Sequence, residues 1–288
     1  MIVGTGPAGV SAALTAKARG LDCLWFGSRA LSAKIAQAPE ILNYPGLGRI
    51  SGQDFAATLR RQIDDMGLAI REERIDAIYA MGDYYAACVN ETVYEARTVI
   101  LAVGVSAAKT VPGELENVGN GVSYCATCDG ELYRGKTIAV VSTSREFEEE
   151  VQFLTSLAGK VYLSRSYAPE AALAGNTELM SGLPTGIERS EGKLSVVYRD
   201  RWETVDGIFF LKDSVSPAAL LQGLEMDGPH IRADRAMRTN LPGCFAAGDC
   251  TGRPYQYVKA AGEGNIAAHS AIKYLHEMTR PRSGTAEP

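Results

Sequence analysis

Three glycines spaced as Gly4-Thr5-Gly6-Pro7-Ala8-Gly9 stand between a short apolar strand and a helical pattern running from Val10 to Arg19. This constrains the fold more than any other feature of the chain. The first glycine permits the tight strand-to-helix turn, the second lets a pyrophosphate approach backbone amides, and the third allows close packing of helix on strand. The amides at the helix N-terminus also favour an anion. Gly20 ends the helix, and Leu21 to Phe26 reads as the next strand, so the chain opens with a βαβ dinucleotide-binding unit. The acid that commonly meets a ribose at the end of that second strand is absent, because Phe26-Gly27-Ser28-Arg29 stands there. Which dinucleotide binds is therefore decided elsewhere.

Far downstream, Cys244-Phe245-Ala246-Ala247-Gly248-Asp249 reads as a strand ending in Gly-Asp, followed by a helix from Lys259 to Met278. An Asp at a strand tip facing a helix N-terminus can hold a ribityl hydroxyl, and nearby amides can face a pyrophosphate or a flavin carbonyl. Flavoproteins use this combination. Between the two halves the pattern repeats: strand Thr137 to Val141, helix Glu146 to Ala158, strand Lys160 to Leu163. The expected architecture is α/β, with two Rossmann-like, three-layer domains. Residues 1–111 and 231–288 are expected to form a discontinuous FAD-binding domain, and residues 112–230 an inserted, degenerate nucleotide-binding-like domain. Two domains also suit a length of 288 residues.

The inserted unit lacks a nucleotide loop. Ser142-Thr143-Ser144-Arg145-Glu146-Phe147 stands where glycines belong, and Thr143 and Glu146 have the spacing of a capping box. Glu146, Glu148, Glu149 and Glu150 then crowd the first turns, where carboxylates suit the macrodipole and repel a pyrophosphate. A nicotinamide dinucleotide should bind poorly here. Past the next strand, Ser164-Arg165-Ser166 offers a single arginine, read as a solvated charge, in place of the basic cluster a 2′-phosphate wants.

Six cysteines in a chain of this size do not make a disulfide scaffold. Cys23, Cys88, Cys244 and Cys250 are scattered and read as small buried hydrophobes. Cys125-Ala126-Thr127-Cys128 is either half a metal site or a redox dithiol. His230, His269 and His276 have no spacing that would complete a zinc site, so no metal is expected and the redox reading is preferred. A net charge of −5 disfavours a nucleic-acid backbone binder. No apolar run nears the roughly 18 residues of a membrane span, and Met1-Ile2-Val3 does not read as a signal peptide, so a cytoplasmic location is expected.

Taken in order, Gly4 to Gly9, Asn43-Tyr44-Pro45-Gly46, Ala102-Val103-Gly104, Cys125-Ala126-Thr127-Cys128-Asp129-Gly130 and Phe245-Ala246-Ala247-Gly248-Asp249 resemble the bacterial-type low-molecular-weight thioredoxin reductases. The resemblance covers nearly the whole chain, and its most specific part is the CATCDG element. Three departures stand out. The family's glycine triplet in the insert is replaced by Ser142 to Phe147, its His-Arg-Arg cluster by Ser164-Arg165-Ser166, and its Arg-Gln-Ala by Gln256-Tyr257-Val258. That pattern of loss is similar to the ferredoxin-dependent flavin thioredoxin reductases, which lack an NADPH site.

The resemblance implies FAD held by Gly4, Gly6, Pro7, Ala8 and Gly9, by the segment with Ser28 and Lys34, by Asn43, and by Gly248, Asp249, Gln256, Tyr257 and Val258. It implies that Cys128 faces the flavin, that Cys125 attacks thioredoxin, and that Asp129 moves the proton. Reduced ferredoxin is then the expected donor, thioredoxin the acceptor, and a homodimer with rotating domains the working form. An acidic ferredoxin would dock on a basic cluster, either Arg232, Arg235 and Arg238 or Arg60, Arg61, Arg71 and Arg74. Alternatives are a dithiol oxidase that passes electrons to oxygen, an NADPH-dependent reductase with a divergent loop, and a flavin-binding module without turnover. The tail from Thr279 to Pro288 is expected to be disordered.

Overall fold

The computed structural model describes residues 1–105, 110–168, 174–190, 192–212 and 216–279. The tail expected to be disordered, past Thr279, lies outside the described residues. The chain opens with strand β1 (Ile2–Val3), helix α1 (Pro7–Ala18) and strand β2 (Trp25–Phe26). A short helix α2 (Ala33–Ala36) and the amphipathic α3 (Gly52–Asp65) follow, then an antiparallel meander of β3 (Ala77–Ala80), β4 (Tyr85–Val89) and β5 (Thr92–Ala96), and β6 (Val99–Leu101). A second set comes next: β7 (Val122–Ser123), α4 (Ala126–Asp129), β8 (Thr137–Ser142), α5 (Glu148–Leu157), β9 (Lys160–Arg165) and β10 (Thr177–Leu179). It continues through β11 (Gly186–Ser190), β12 (Lys193–Val197), β13 (Trp202–Val205) and β14 (Gly207–Leu211). The chain returns through α6 (Pro217–Leu220), the small hairpin of β15 (Met226–Asp227) and β16 (His230–Ile231), β17 (Cys244–Ala246) and the long α7 (Tyr257–Thr279).

Two parallel sheets result. The first has the order β17-β6-β1-β2, and the second, supplied wholly by the segment between β6 and β17, has the order β10-β9-β8-β14-β7. Side chains alternate across each sheet, as the period of a strand requires. In the first, Ile2, Ile100 and Phe245 face a core with α1, α3 and α7, whereas Val3, Leu101 and Ala246 face the β3–β5 meander. In the second, Ile138, Val140 and Phe209 face α5, and Ala139, Val141 and Phe210 face β11–β13. Both units are therefore helix, parallel sheet and antiparallel sheet in three layers. Leu220 and Leu221 already pack in the core beneath β3–β5.

The element boundaries depart from the sequence expectation in instructive ways. Helix α1 starts at Pro7 instead of Val10, because a proline in the first turn needs no hydrogen-bond acceptor and carries a preset φ. Only Trp25 and Phe26 of the expected Leu21–Phe26 strand pair with β1. The helix expected from Glu146 opens as a 3-10 turn over Arg145–Phe147, and α5 proper begins at Glu148. The Thr143/Glu146 capping box does not form. Thr143 Oγ1 donates to the Leu211 carbonyl, and Ser144 Oγ accepts the Glu146 amide at 3.4 Å. Thr143 is drawn off because it lies beside β14, whose last residue offers a carbonyl.

Helices α1 and α7 cross at backbone contact. A Cβ on Gly264 would lie 2.0 Å from the Ala8 carbonyl oxygen, so only glycine fits there. Gly264→Ala should push α7 off α1 and cost about 2 kcal/mol, typical of overpacking at a rigid contact. Urea unfolding measures this, and an unchanged midpoint would contradict the packing described.

Candidate active site

The β1–α1 turn, the residues after β6 and the residues after β17 converge at the carboxyl edge of the first sheet, where doubly wound sheets bind ligands. They enclose a cavity of about 270 Å³ lined by Gly4 to Ala8, Ser32, Lys34, Ile35, Ala102 to Val105, Ala247 to Asp249, Tyr255 to Tyr257 and Ala260. Two glycines make the turn possible. Gly4 has φ +111, and a Cβ there would meet the Ala102 carbonyl oxygen at 2.2 Å; a Cβ on Gly9 would meet the Gly4 carbonyl oxygen at 2.0 Å. Gly6 differs, since a Cβ there would find nothing nearer than Ser32 Cβ at 4.0 Å. Gly6 is the N-cap of α1, no side chain caps that helix, and its first turn carries no acid. The amides at this end face an open, uncompensated space.

Asp249 sits on the opposite wall. Burial pushes its carboxyl above the usual range, against the pull of Lys34 and Lys259. The loop presenting it is clamped from α7. Lys259 Nζ donates to the Gly248 carbonyl at 2.9 Å and to the Gly252 carbonyl at 2.7 Å. Glu263 accepts the Gly248 amide and the Thr251 hydroxyl, each at 2.9 Å, and pairs with Lys259 at 3.1 Å. At the far end, Asn43 Nδ2 donates to Gln256 Oε1 at 2.8 Å, and the Tyr257 hydroxyl donates to the Lys34 carbonyl at 3.0 Å.

Of the expected cofactor residues, Gly4, Gly6, Pro7, Ala8, Lys34, Gly248, Asp249, Gln256 and Tyr257 line this cavity. Asn43 reaches it only through Gln256, and Gly9 supports the turn from behind. Ser28 is outside the wall, its hydroxyl accepting the Ala30 amide, and Val258 is 41% exposed on the outer side of α7. Ser32, Ile35 and Tyr255 line the cavity without having been singled out from sequence. The Lys259–Glu263 clamp was legible in principle, since the two stand four apart on a helix.

Cys125 and Cys128 form a disulfide. Cys125 is the N-cap of α4, its sulfur accepting the Cys128 amide at 3.1 Å, and it is only 3% exposed; Cys128 is half-buried. Ser123 Oγ accepts the Cys125 amide at 3.1 Å and fixes the approach to α4. Asp129 and Cys125 share a small cavity with Asp76 and Tyr79, which come from the meander of the first unit. Neither cysteine lines the larger cavity. Behind the dithiol, Glu114 is fully buried and accepts hydrogen bonds from the Tyr124 hydroxyl and Lys212 Nζ, both at 2.6 Å. Burial is the main reason the Tyr124 phenol is pushed up. Nothing local in the sequence announces this triad, because 98 residues separate Glu114 from Lys212.

The corresponding edge of the second sheet carries acidic and apolar side chains in place of an open glycine turn. Glu148, Glu149 and Glu150 occupy the first turn of α5, and Phe147 is buried in front of it. Arg165 is not the solvated charge expected. Its side chain is 3% exposed and pairs with Glu148 at 3.2 Å, because β9 runs two residues further than expected and carries Arg165 beneath the α5 N-terminus. Of the scattered cysteines, Cys244 and Cys250 are buried, whereas Cys23 and Cys88 are half-buried.

The matching family model is the pyridine nucleotide-disulphide oxidoreductase family, over residues 1–141. The thioredoxin reductase of Treponema pallidum is 32% identical over 298 residues, covering 96% of this chain and 97% of that protein. A ferredoxin-flavin thioredoxin reductase from Clostridium acetobutylicum is 42% identical, covers 96% of this chain and 97% of that one, and superposes with a TM-score of 0.79. The thioredoxin reductase of Lactococcus lactis is 27% identical, covers 96% of this chain and 98% of that one, and superposes with a TM-score of 0.55.

Two predictions follow from these environments. Glu148→Ala should leave Arg165 as a buried unpaired cation and lower stability by about 3 kcal/mol, with Glu148→Gln less damaging, as read by chemical denaturation; equal, small losses would show the pair to be inconsequential. Burial pushes the thiols of Cys244 and Cys250 up to about 12. At pH 8 only about one in ten thousand of each is thiolate, so mass spectrometry after brief iodoacetamide treatment of the reduced native protein should find both unmodified while the Cys125/Cys128 pair is labelled.

Proposed function

The chain belongs to the thioredoxin reductase family, and from that premise we propose that it binds FAD in the cavity at the β1–α1 turn and reduces thioredoxin with electrons from reduced ferredoxin in place of NADPH. The observation that carries this reading is the contrast between two helix N-termini. At α1 the amides are uncapped, no acid stands in the first turn, and Gly6 leaves room for a pyrophosphate to approach. At α5 three glutamates stand in the first turn, Phe147 is buried in front of it, and Arg165 is paired through Nη1 with Glu148. A negatively charged dinucleotide is favoured at the first end and repelled at the second. The 42% identity to a ferredoxin-flavin thioredoxin reductase supports the same donor.

The residues at the first cavity suit FAD on structural grounds. A Cβ at Gly6 would stand in the open cradle, and the partly buried Asp249 carboxylate, on the loop that Lys259 and Glu263 clamp, is an acceptor suited to a ribityl hydroxyl. Lys34 and the α1 amides would face the phosphates, with Gln256 and Tyr257 at the far end. When bound, FAD supplies a carrier that takes up single electrons and delivers them in pairs.

The chain's own chemistry lies in the dithiol. Once the Cys125–Cys128 bond is reduced, the Cys125 thiolate attacks the thioredoxin disulfide, forming a mixed disulfide and releasing one thioredoxin thiolate. Cys128 then attacks Cys125 Sγ, reforms the internal disulfide and releases the second thiolate. Asp129, which shares a cavity with Cys125, would hold the proton that Cys128 gives up. Because Cys125 is 3% exposed, its attack on a protein substrate requires the second unit to lift away from the β3–β5 meander.

Of the two basic clusters, the one at Arg232, Arg235 and Arg238 is the better docking candidate for an acidic ferredoxin, since all three are exposed and, among the described residues, only Arg232 is paired, to Glu225 at 3.5 Å. Arg74, from the other cluster, is spent on the Lys212 carbonyl and the face of Phe147. An anaerobic flavin-bleaching assay tests the whole reading. Photoreduced ferredoxin should bleach the protein, NADPH and NADH should not, and thioredoxin should restore the colour in the wild type but not in Cys125→Ser or Cys128→Ser. Fast bleaching by NADPH would instead make this an NADPH-dependent reductase with a divergent loop, and rapid dithiol-driven oxygen consumption would make it an oxidase.

A further inference from the structure

The middle of the CATC element makes a hydrogen bond that crosses between the two units. Thr127 Oγ1 donates to the Asn90 carbonyl at 3.2 Å, and the same oxygen lies 3.6 Å from Cys125 Sγ. Asn90 forms the tip of the β4–β5 hairpin with φ +50, and its amide is pinned to Asp76 Oδ2 at 3.0 Å. Its carbonyl is therefore held in a fixed position on the first unit. Thr127 thus stands between two acceptors, one on each side of the interface.

A hydroxyl has one proton to donate. While the disulfide is intact, the sulfur is a weak neutral acceptor and the Asn90 carbonyl takes that proton. Two-electron reduction breaks the S–S bond. With one proton taken up at Cys128, the products are a Cys128 thiol and a Cys125 thiolate. A hydrogen bond to an ionised acceptor is roughly twice as strong as one to a neutral acceptor, so the hydroxyl then turns to the sulfur. The Cys128 amide, at 3.1 Å, is the second donor to the same atom.

We propose that Thr127 is a positioning residue that couples the redox state of Cys125 to the docking of the two units. In the oxidised enzyme it latches α4 onto the β4–β5 hairpin with Cys125 covered. In the reduced enzyme it leaves Asn90, stabilises the thiolate and lets α4 come away, so that Cys125 is uncovered only when it carries electrons. This rests on the thioredoxin reductase reading, in which Cys125 is the attacking sulfur.

The test uses the flavin-loaded enzyme as wild type, Thr127→Val, which keeps the shape and removes the hydroxyl, and Thr127→Ser, which keeps the hydroxyl. Dithiothreitol supplies the two electrons and ends as its cyclic disulfide, so the outcome does not depend on the identity of the natural donor. Small-angle scattering should change on reduction of the wild type and of Thr127→Ser. Thr127→Val should give the reduced profile in both states. In the reduced proteins, where all three are released, iodoacetamide should modify Cys125 about tenfold more slowly in Thr127→Val at neutral pH, with Thr127→Ser close to wild type. Scattering unchanged by reduction of the wild type, or a Thr127→Val protein that responds as the wild type does, would overturn the latch. Failure of the wild type to reduce thioredoxin would instead overturn the function on which it rests.

Discussion

Backbone-to-backbone approach at three glycines holds the first unit in its working shape. Gly4 lies against the Ala102 carbonyl, Gly9 against the Gly4 carbonyl, and Gly264 against the Ala8 carbonyl. These contacts draw β1, α1, β6 and α7 together at one point. The cavity is what remains at the carboxyl edge of the sheet when those elements are as close as main chain allows. Gly4, Gly6 and Gly248 bring main chain into its walls, which suits a ligand held by amides and by the one carboxylate at Asp249. The Lys259–Glu263 pair extends the same logic to the other wall, where Gly248 has φ +89 and its carbonyl and amide are both held from α7.

The second unit repeats the layering and reverses the electrostatics. Helix, parallel sheet and antiparallel sheet recur in the same order, but the helix that would face a ligand begins with Glu148, Glu149 and Glu150 in place of an open glycine turn. Arg165 is inside and paired through Nη1 with Glu148, so the chain's own charges stand at that end of the sheet. One architecture thus serves two ends: a ligand cavity in the first unit, and in the second a scaffold that carries Cys125 and Cys128 against the first. The buried Glu114, Tyr124 and Lys212 fix the strand leading into the dithiol, and Thr127 joins it to the neighbouring hairpin.

Much of this was legible in the residues. Gly4 and Gly9 announce a strand-turn-helix unit because no other residue tolerates their contacts, and the CATCDG run announces redox chemistry because a lone pair of thiols three positions apart, with no further ligands at zinc spacing, suits a disulfide better than a metal. The run of glutamates after Ser144 gave notice of the three carboxylates that stand in the first turn of α5. The capping box failed because Thr143 found a partner on β14, 68 residues away, and Arg165 proved to be buried because β9 is longer than its apolar run suggested. Ser28 and Val258 were placed at the ligand by resemblance, yet in the fold one turns to its own loop and the other faces outward.

Sequence alone therefore determined the fold class, the family and the residues able to carry charge or sulfur chemistry, since these rest on local backbone geometry and on residue type. Tertiary structure decided which of those residues meet. The small cavity that Cys125 shares with Asp76 and Tyr79, the clamp behind Asp249, the Glu114 triad and the Thr127–Asn90 bond all join segments apart in the chain. Such contacts depend on how the two stacks of layers dock. No periodicity or spacing encodes that docking, because it is settled by the whole of both surfaces at once.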